Sequence, residues 1–190
     1  MKQQAALFLC MIVGTAAIYL LVLALNELAF TGSEYTRGIN WIYLPAGVRL
    51  LCTLLFGGAG ALGILIASWL ACVYYYFPGD FIRAAAGSAI SAGGPYLIYL
   101  LARRVFLLQA SLSNLTSARL LICAAACATI NALLHHLWFL FWGPADNWEQ
   151  VLVMLAGDLA GILVVLYAMK LAANHLSGRV KSASRNRNGR

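Results

Sequence analysis

The chain has 190 residues, 63% of them hydrophobic and 10% charged, with a mean hydropathy of +0.82 and a formal net charge of +7. A soluble domain is nearer half apolar and a quarter charged, so this chain has too little polar surface to cover a globule in water, and lipid must face much of it. The positive charge does not point to nucleic acid. No fold that reads nucleic acid is signalled, and Arg179, Lys181, Arg185, Arg187 and Arg190 crowd the last dozen residues, where they read as a topology anchor near anionic lipid.

Lys2 precedes an apolar run from Ala5 to about Leu25. The run is longer than a signal-peptide core and no convincing small-residue cleavage site follows, so it reads as a first spanning helix. A polar stretch, residues 26–40, carries Glu27, Glu34 and Arg37 and a turn at Thr31-Gly32-Ser33. Two apolar segments follow, 41–56 and 59–76, joined at Gly57-Gly58. The first is short, and Pro45 and Gly47 predict an irregular opening turn, which membrane depth tolerates only where protein or water covers it. The glycines around 57–60 read as a place for tight helix packing.

Phe77-Pro78-Gly79-Asp80 makes a turn into a fourth helix, 81–101, which Gly93-Gly94-Pro95 should kink or divide. Arg103 and Arg104 end it, and an amphipathic connector, 105–117, leads to a fifth helix over 118–141. After a loop at 142–149, a sixth helix covers 150–172. The fold class expected is therefore an all-α integral membrane protein. It comprises a bundle of about six transmembrane helices over 1–175 and a disordered basic cytoplasmic tail over 176–190.

Orientation follows from the loops. With six spans, Lys2, Arg103, Arg104, Arg119, Lys170 and the five basic tail residues share one side, ten of the thirteen in the chain. Glu27, Glu34, Asp80, Asp146 and Glu149 fall in the opposite loops. Cytoplasmic loops are enriched in Lys and Arg, so both termini are placed in the cytoplasm. Trp41, Tyr43, Tyr74, Tyr75, Tyr76, Phe77, Trp138, Trp142 and Trp148 gather toward the outer end, as interfacial anchors do.

Ionisable groups inside a span are costly and mark functional or pairing sites. At a rise of roughly 1.5 Å per residue, Arg49 and Asp158 sit roughly 10–12 Å below the outer face and His135 and His136 roughly 8–9 Å, with Asn131 one turn deeper. These residues share one layer. Arg49 and Asp158 are expected to form an interhelical ion pair with one histidine beside it, because either charge alone in hydrocarbon is unfavourable. Two readings stay open: a staple that fixes helix register, or an outward pocket in which Arg49 helps bind a small or ionic ligand.

Other chemistry is poorly signalled. His135 and His136 diverge by about 100° on a helix, and His175 lies toward the other end, so neither haem nor metal is expected, though a pH-responsive histidine remains open. The five cysteines (Cys10, Cys52, Cys72, Cys123, Cys127) are odd in number and lie in apolar runs, which is no disulfide framework. Cys123 and Cys127 are spaced i, i+4, which two metal ligands can exploit, but packing explains them. Asn114-Leu115-Thr116 fits a glycosylation sequon but falls on the cytoplasmic side. No phosphate loop, zinc-protease motif or serine–base arrangement is present, so no cofactor and no enzyme is expected.

Leu44-Pro45-Ala46-Gly47-Val48-Arg49-Leu50-Leu51, continuing to Leu55-Phe56-Gly57 and Ala61-Leu62-Gly63, resembles the early Pro-x-x-Gly helix pair of the bacterial membrane-associated sensor family, first type. Trp148 with Gly157-Asp158-Leu159-Ala160-Gly161-Ile162-Leu163 resembles that family's closing helix. The resemblance implies an integral membrane sensory module coupled to a histidine kinase or a cyclic-di-nucleotide enzyme, here stand-alone and shortened, signalling through a membrane or cytoplasmic protein partner. The expected function is thus a bacterial inner-membrane sensory or regulatory module that detects a small ligand or condition at its outer face. The alternatives are a small transporter or its substrate-binding subunit, and a structural accessory subunit of a membrane complex.

Overall fold

The computed structural model describes residues 2–109, 111–142 and 147–187, with the side chains of 31 and 176–187 excepted. Six helices run in chain order: α1 (Lys2–Ala29), α2 (Pro45–Phe56), α3 (Gly58–Ala71), α4 (Phe81–Val105), α5 (Ser117–Trp142) and α6 (Trp148–Arg187). A π-helical stretch, Cys72–Tyr76, prolongs α3. Among the described residues, five elements are long and apolar enough to cross a membrane: α1, α3 with its extension, α4, α5 and the 148–175 part of α6. Such a set of helices is the build of a multi-pass membrane protein.

The polar stretch after α1 holds more structure than its turn residues announced. A 3₁₀ turn at Thr31–Ser33 leads into a small antiparallel hairpin, β1 (Glu34–Thr36) and β2 (Ile39–Asn40), with Gly38 at φ +83° in its turn. Side chains tie several elements together at this end. Tyr75 and Tyr76 donate to the Glu27 carboxylate at 2.9 and 3.2 Å. Tyr35 donates to Glu149 at 2.7 Å, and Arg37 donates to the Tyr75 carbonyl at 2.7 Å. The end of α1, the hairpin, the end of α3 and the start of α6 therefore share one end of the bundle.

At twelve residues, α2 is too short to cross alone, yet it is the hub. It packs against α1, α3, α4, α5 and α6, and nine of its residues are buried. The chain reaches this position through a non-helical segment, 41–44, that dips along α6. Glycine makes that path possible: a Cβ at Gly157 would lie 1.9 Å from the Asn40 carbonyl oxygen, and one at Gly161 would lie 1.9 Å from that of Tyr43. The buried backbone of the segment is satisfied by neighbours, as apolar surroundings require. Tyr43 N–H bonds the Gly157 carbonyl at 3.1 Å, and Leu44 N–H bonds Asn26 Oδ1 at 2.8 Å. Pro45 follows at a helix start, where its missing N–H is harmless.

Close packing at Gly60 also agrees with the glycine reading, since a Cβ there would meet the Cys52 carbonyl oxygen at 2.2 Å. Of the two outcomes expected at Gly93-Gly94-Pro95, a division of the fourth helix is not found: the helix runs unbroken from Phe81 to Val105 with Pro95 buried inside it. Pro95 forfeits one hydrogen bond, but with no water to receive freed backbone groups, breaking the helix would forfeit several. The connector between α4 and α5 is irregular, with Leu107 and Leu112 at positive φ. The helical backbone of α6 extends to Arg187. Asp146 lies outside the described residues.

Candidate functional site

Arg49 stands one turn into α2, at the centre of the bundle, with 3% of its surface exposed. A guanidinium there must spread its donors over several partners. Nη2 donates to Asp158 Oδ1 on α6 at 2.8 Å, and Nη1 donates to Ser91 Oγ on α4 and Asn131 Oδ1 on α5, both at 3.2 Å. Asn131 Nδ2 closes the circuit by donating to Asp158 Oδ2 at 2.6 Å. Asp158 is likewise 3% exposed, and among the described residues this is the one ion pair. The guanidinium carbon lies 5.3 Å from the ring centre of Tyr43, whose hydroxyl is 3.2 Å from that of Tyr19 on α1. One arginine thereby links α2 to α4, α5 and α6, and through Tyr43 to α1.

The helices explain the meeting. Asp158 lies ten residues from the start of α6, Ser91 ten from the start of α4, and Asn131 eleven from the end of α5. At 1.5 Å per residue each is therefore roughly 15–17 Å down its helix. Arg49 lies only four residues into α2, because the segment 41–44 has already carried the chain downward.

The two histidines part company. His135 Nδ1 is 3.0 Å from the Asn131 carbonyl oxygen, and its ring borders the polar layer. His136 turns to Trp148, with ring centroids 4.7 Å apart. Of the residues singled out by sequence, Arg49, Asp158, Asn131 and His135 come together and His136 does not join them. No group of three or more His, Cys, Asp or Glu among the described residues is placed to hold a metal ion.

Above the layer are two adjoining cavities of about 60 and about 50 Å³. They share Gly38, Ile39, Tyr43, Ser91, His135 and Met154 as walls. The smaller reaches Arg49, Asn131 and Asp158; the larger runs beneath the hairpin between α3, α4 and α5, past Ser68, Arg83 and Trp138. Volumes of this size hold a few water-sized groups.

Sequence reasoning missed Ser91 and Asn26. Ser91 sits in a run of small residues that reads as packing, although its distance from Phe81 matches that of Asp158 from Trp148, a signal that depth counting can use. Asn26 reads as the first loop residue, yet it is 1% exposed and supplies the acceptor for the backbone entering α2. Trp138, expected as an interfacial anchor, lines the larger cavity, as does Arg83. No family model, curated protein or solved structure matches the chain.

Proposed function

We propose that the chain is a sensory or regulatory module of a bacterial inner membrane. It takes a small ligand into the cavities beneath the hairpin and passes occupancy on to a membrane or cytoplasmic protein partner. Both termini face the cytoplasm and α2 counts as a sixth, shortened span, so the hairpin end faces outward. The charge asymmetry of the loops supports that orientation. The observation that carries the functional reading is the joining of the cavities to the Arg49 network. A ligand there touches side chains held by four helices and the hairpin, so its binding energy bears on how those elements sit together. The resemblance of residues 44–63 and 148–163 to the sensor family supports the same reading.

The test is a thermal-stability screen of the purified protein with small molecules, followed by uptake assays in proteoliposomes. A ligand that binds the folded state must raise the unfolding temperature. A sensor binds without accumulating ligand in the vesicle; uptake would make the protein a transporter.

A second reading has its own observation. Both terminal nitrogens of Arg49 are already engaged by protein groups, as in a staple holding an accessory subunit together. Stability unmoved by every ligand class would favour it.

A further inference from the structure

The larger cavity differs in character from the Arg49 network below it. Two guanidiniums line it, Arg37 at the hairpin turn and Arg83 on α4, and no described carboxylate does. The described carboxylates at this end lie outside its walls, each accepting from a neutral donor: Glu27 from Tyr75 and Tyr76, Glu34 from the Gly38 N–H, Glu149 from Tyr35, and Asp80, which also attracts the Arg83 guanidinium, from the Arg83 backbone N–H. The guanidinium of Arg83 is held in place by rings, 3.9 Å from the centre of Phe77 and 5.6 Å from that of Phe139.

Three buried polar atoms on the same walls have no protein partner: Arg83 Nε, Trp138 Nε1 and Ser68 Oγ. Ser68 is 2% exposed. The arginine and tryptophan nitrogens can only donate, and a buried donor without an acceptor is unfavourable. Three unpaired polar atoms on side chains that line one cavity, beside two cations and with no described carboxylate in its walls, suit an occupant that accepts several hydrogen bonds and carries negative charge.

We propose that this cavity binds a small oxyanion, a carboxylate or phosphate-type group, held by Arg83, Trp138 Nε1 and Ser68, with Arg37 at its mouth. The assignment rests on the ligand-binding reading above and adds the charge class. About 60 Å³ admits the anionic group of a small free ligand; a lipid headgroup phosphate offers the same chemistry from a different source.

The experiment uses the full chain in phospholipid-free maltoside micelles at constant ionic strength. Unfolding temperature is followed while chloride is exchanged for acetate, phosphate or sulfate, and separately while phosphatidylglycerol is added. A saturable rise with at least one oxyanion supports the free ligand, and a rise only with the anionic lipid assigns the site to a headgroup. In either case Arg83→Gln and Trp138→Phe each weaken the midpoint roughly tenfold or more, as loss of a charge-assisted hydrogen bond does. Trp138→Phe keeps a ring in place, so it remains informative if Arg83→Gln fails to fold. The proposal is overturned if no anion shifts the transition, or if the shift is equally large in Trp138→Phe. Stabilisation by neutral or cationic molecules alone would overturn the oxyanion assignment and leave the ligand-binding reading standing; stabilisation by nothing would overturn both.

Discussion

Replacing Asp158 by Asn keeps the shape of the side chain and removes its charge. In the native network Asp158 Oδ1 receives Arg49 Nη2 at 2.8 Å and Oδ2 receives Asn131 Nδ2 at 2.6 Å. The substitution places an amide nitrogen where one oxygen stood, loses one of these bonds and leaves a buried guanidinium facing only neutral acceptors. Breaking a buried pair in a soluble protein costs about 3–5 kcal/mol, whereas single interhelical hydrogen bonds in membranes average about 0.6 kcal/mol and reach about 1.7. With one charge uncompensated and one bond lost, about 2–4 kcal/mol is expected here. Arg49→Gln, which strands Asp158 instead, should cost a similar amount. The double variant restores neutrality and lets amides face each other, so it should cost about as much as one single substitution, a coupling of about 2–4 kcal/mol. Reversible unfolding in mixed micelles, followed by tryptophan fluorescence, measures all four corners of this cycle. Additivity within about 0.5 kcal/mol would refute the network as an energetic unit.

Glycine on α6 offers a sharper contrast. Gly161→Ala drives a methyl into the Tyr43 carbonyl and should abolish folding or cost more than about 3 kcal/mol by thermal melt, at the upper end of single-substitution effects. Gly93→Ala, which meets nothing within 4 Å, should be neutral or stabilise by up to about 1 kcal/mol in the same assay. Asn26→Leu removes the acceptor for the Leu44 N–H and should cost about 1–3 kcal/mol, read by chemical unfolding. At the hairpin, the hydrogen bond to Glu149 holds the Tyr35 phenol above its ordinary value. A group whose folded pKa is raised contributes stability fully present below the unfolded value, near 10, and lost as pH rises through the folded one. A difference titration against Tyr35→Phe should therefore show ionisation above that value, moving down in Glu149→Gln.

What was legible in the sequence follows from cost. A charge in an apolar segment is too unfavourable to stand unpaired, so Arg49 and Asp158 identified each other, and helical rise brought Asn131 and His135 near them. Polar residues that are inexpensive to bury give no such signal. Ser91 resembles the alanines and glycines beside it, and Asn26 resembles a loop residue until a backbone N–H is found waiting for its oxygen. Pro95 misled for a related reason: its preference is measured against water, and inside the bundle the competing solvent is absent. The short α2 was visible as a short apolar run, but its place at the centre of the bundle was not, because that depends on segment 41–44 lying along glycines 157 and 161 rather than on its own residues.

The position of α2 also explains why a single arginine can influence the whole bundle. Its apolar side chains divide between two cores. Val48 and Cys52 join Tyr19, Leu23, Ile64 and Ala67 of α1 and α3, while Ala46, Leu50 and Leu54 join Cys123, Cys127 and Ile162 of α5 and α6. The fourth helix contributes to both, through Ala84 and Ala92 on one side and Ile98 and Ala102 on the other. Arg49 emerges at the seam, where its partners come from α4, α5 and α6 and its neighbour Tyr43 touches Tyr19 of α1. Either core alone would tolerate small rotations of α2, because dispersion contacts are individually weak and non-directional. The directional bonds of the guanidinium, to three other helices at once, do not. They set the rotation and depth of the one helix that both cores share, and the cavity above opens onto that same arginine.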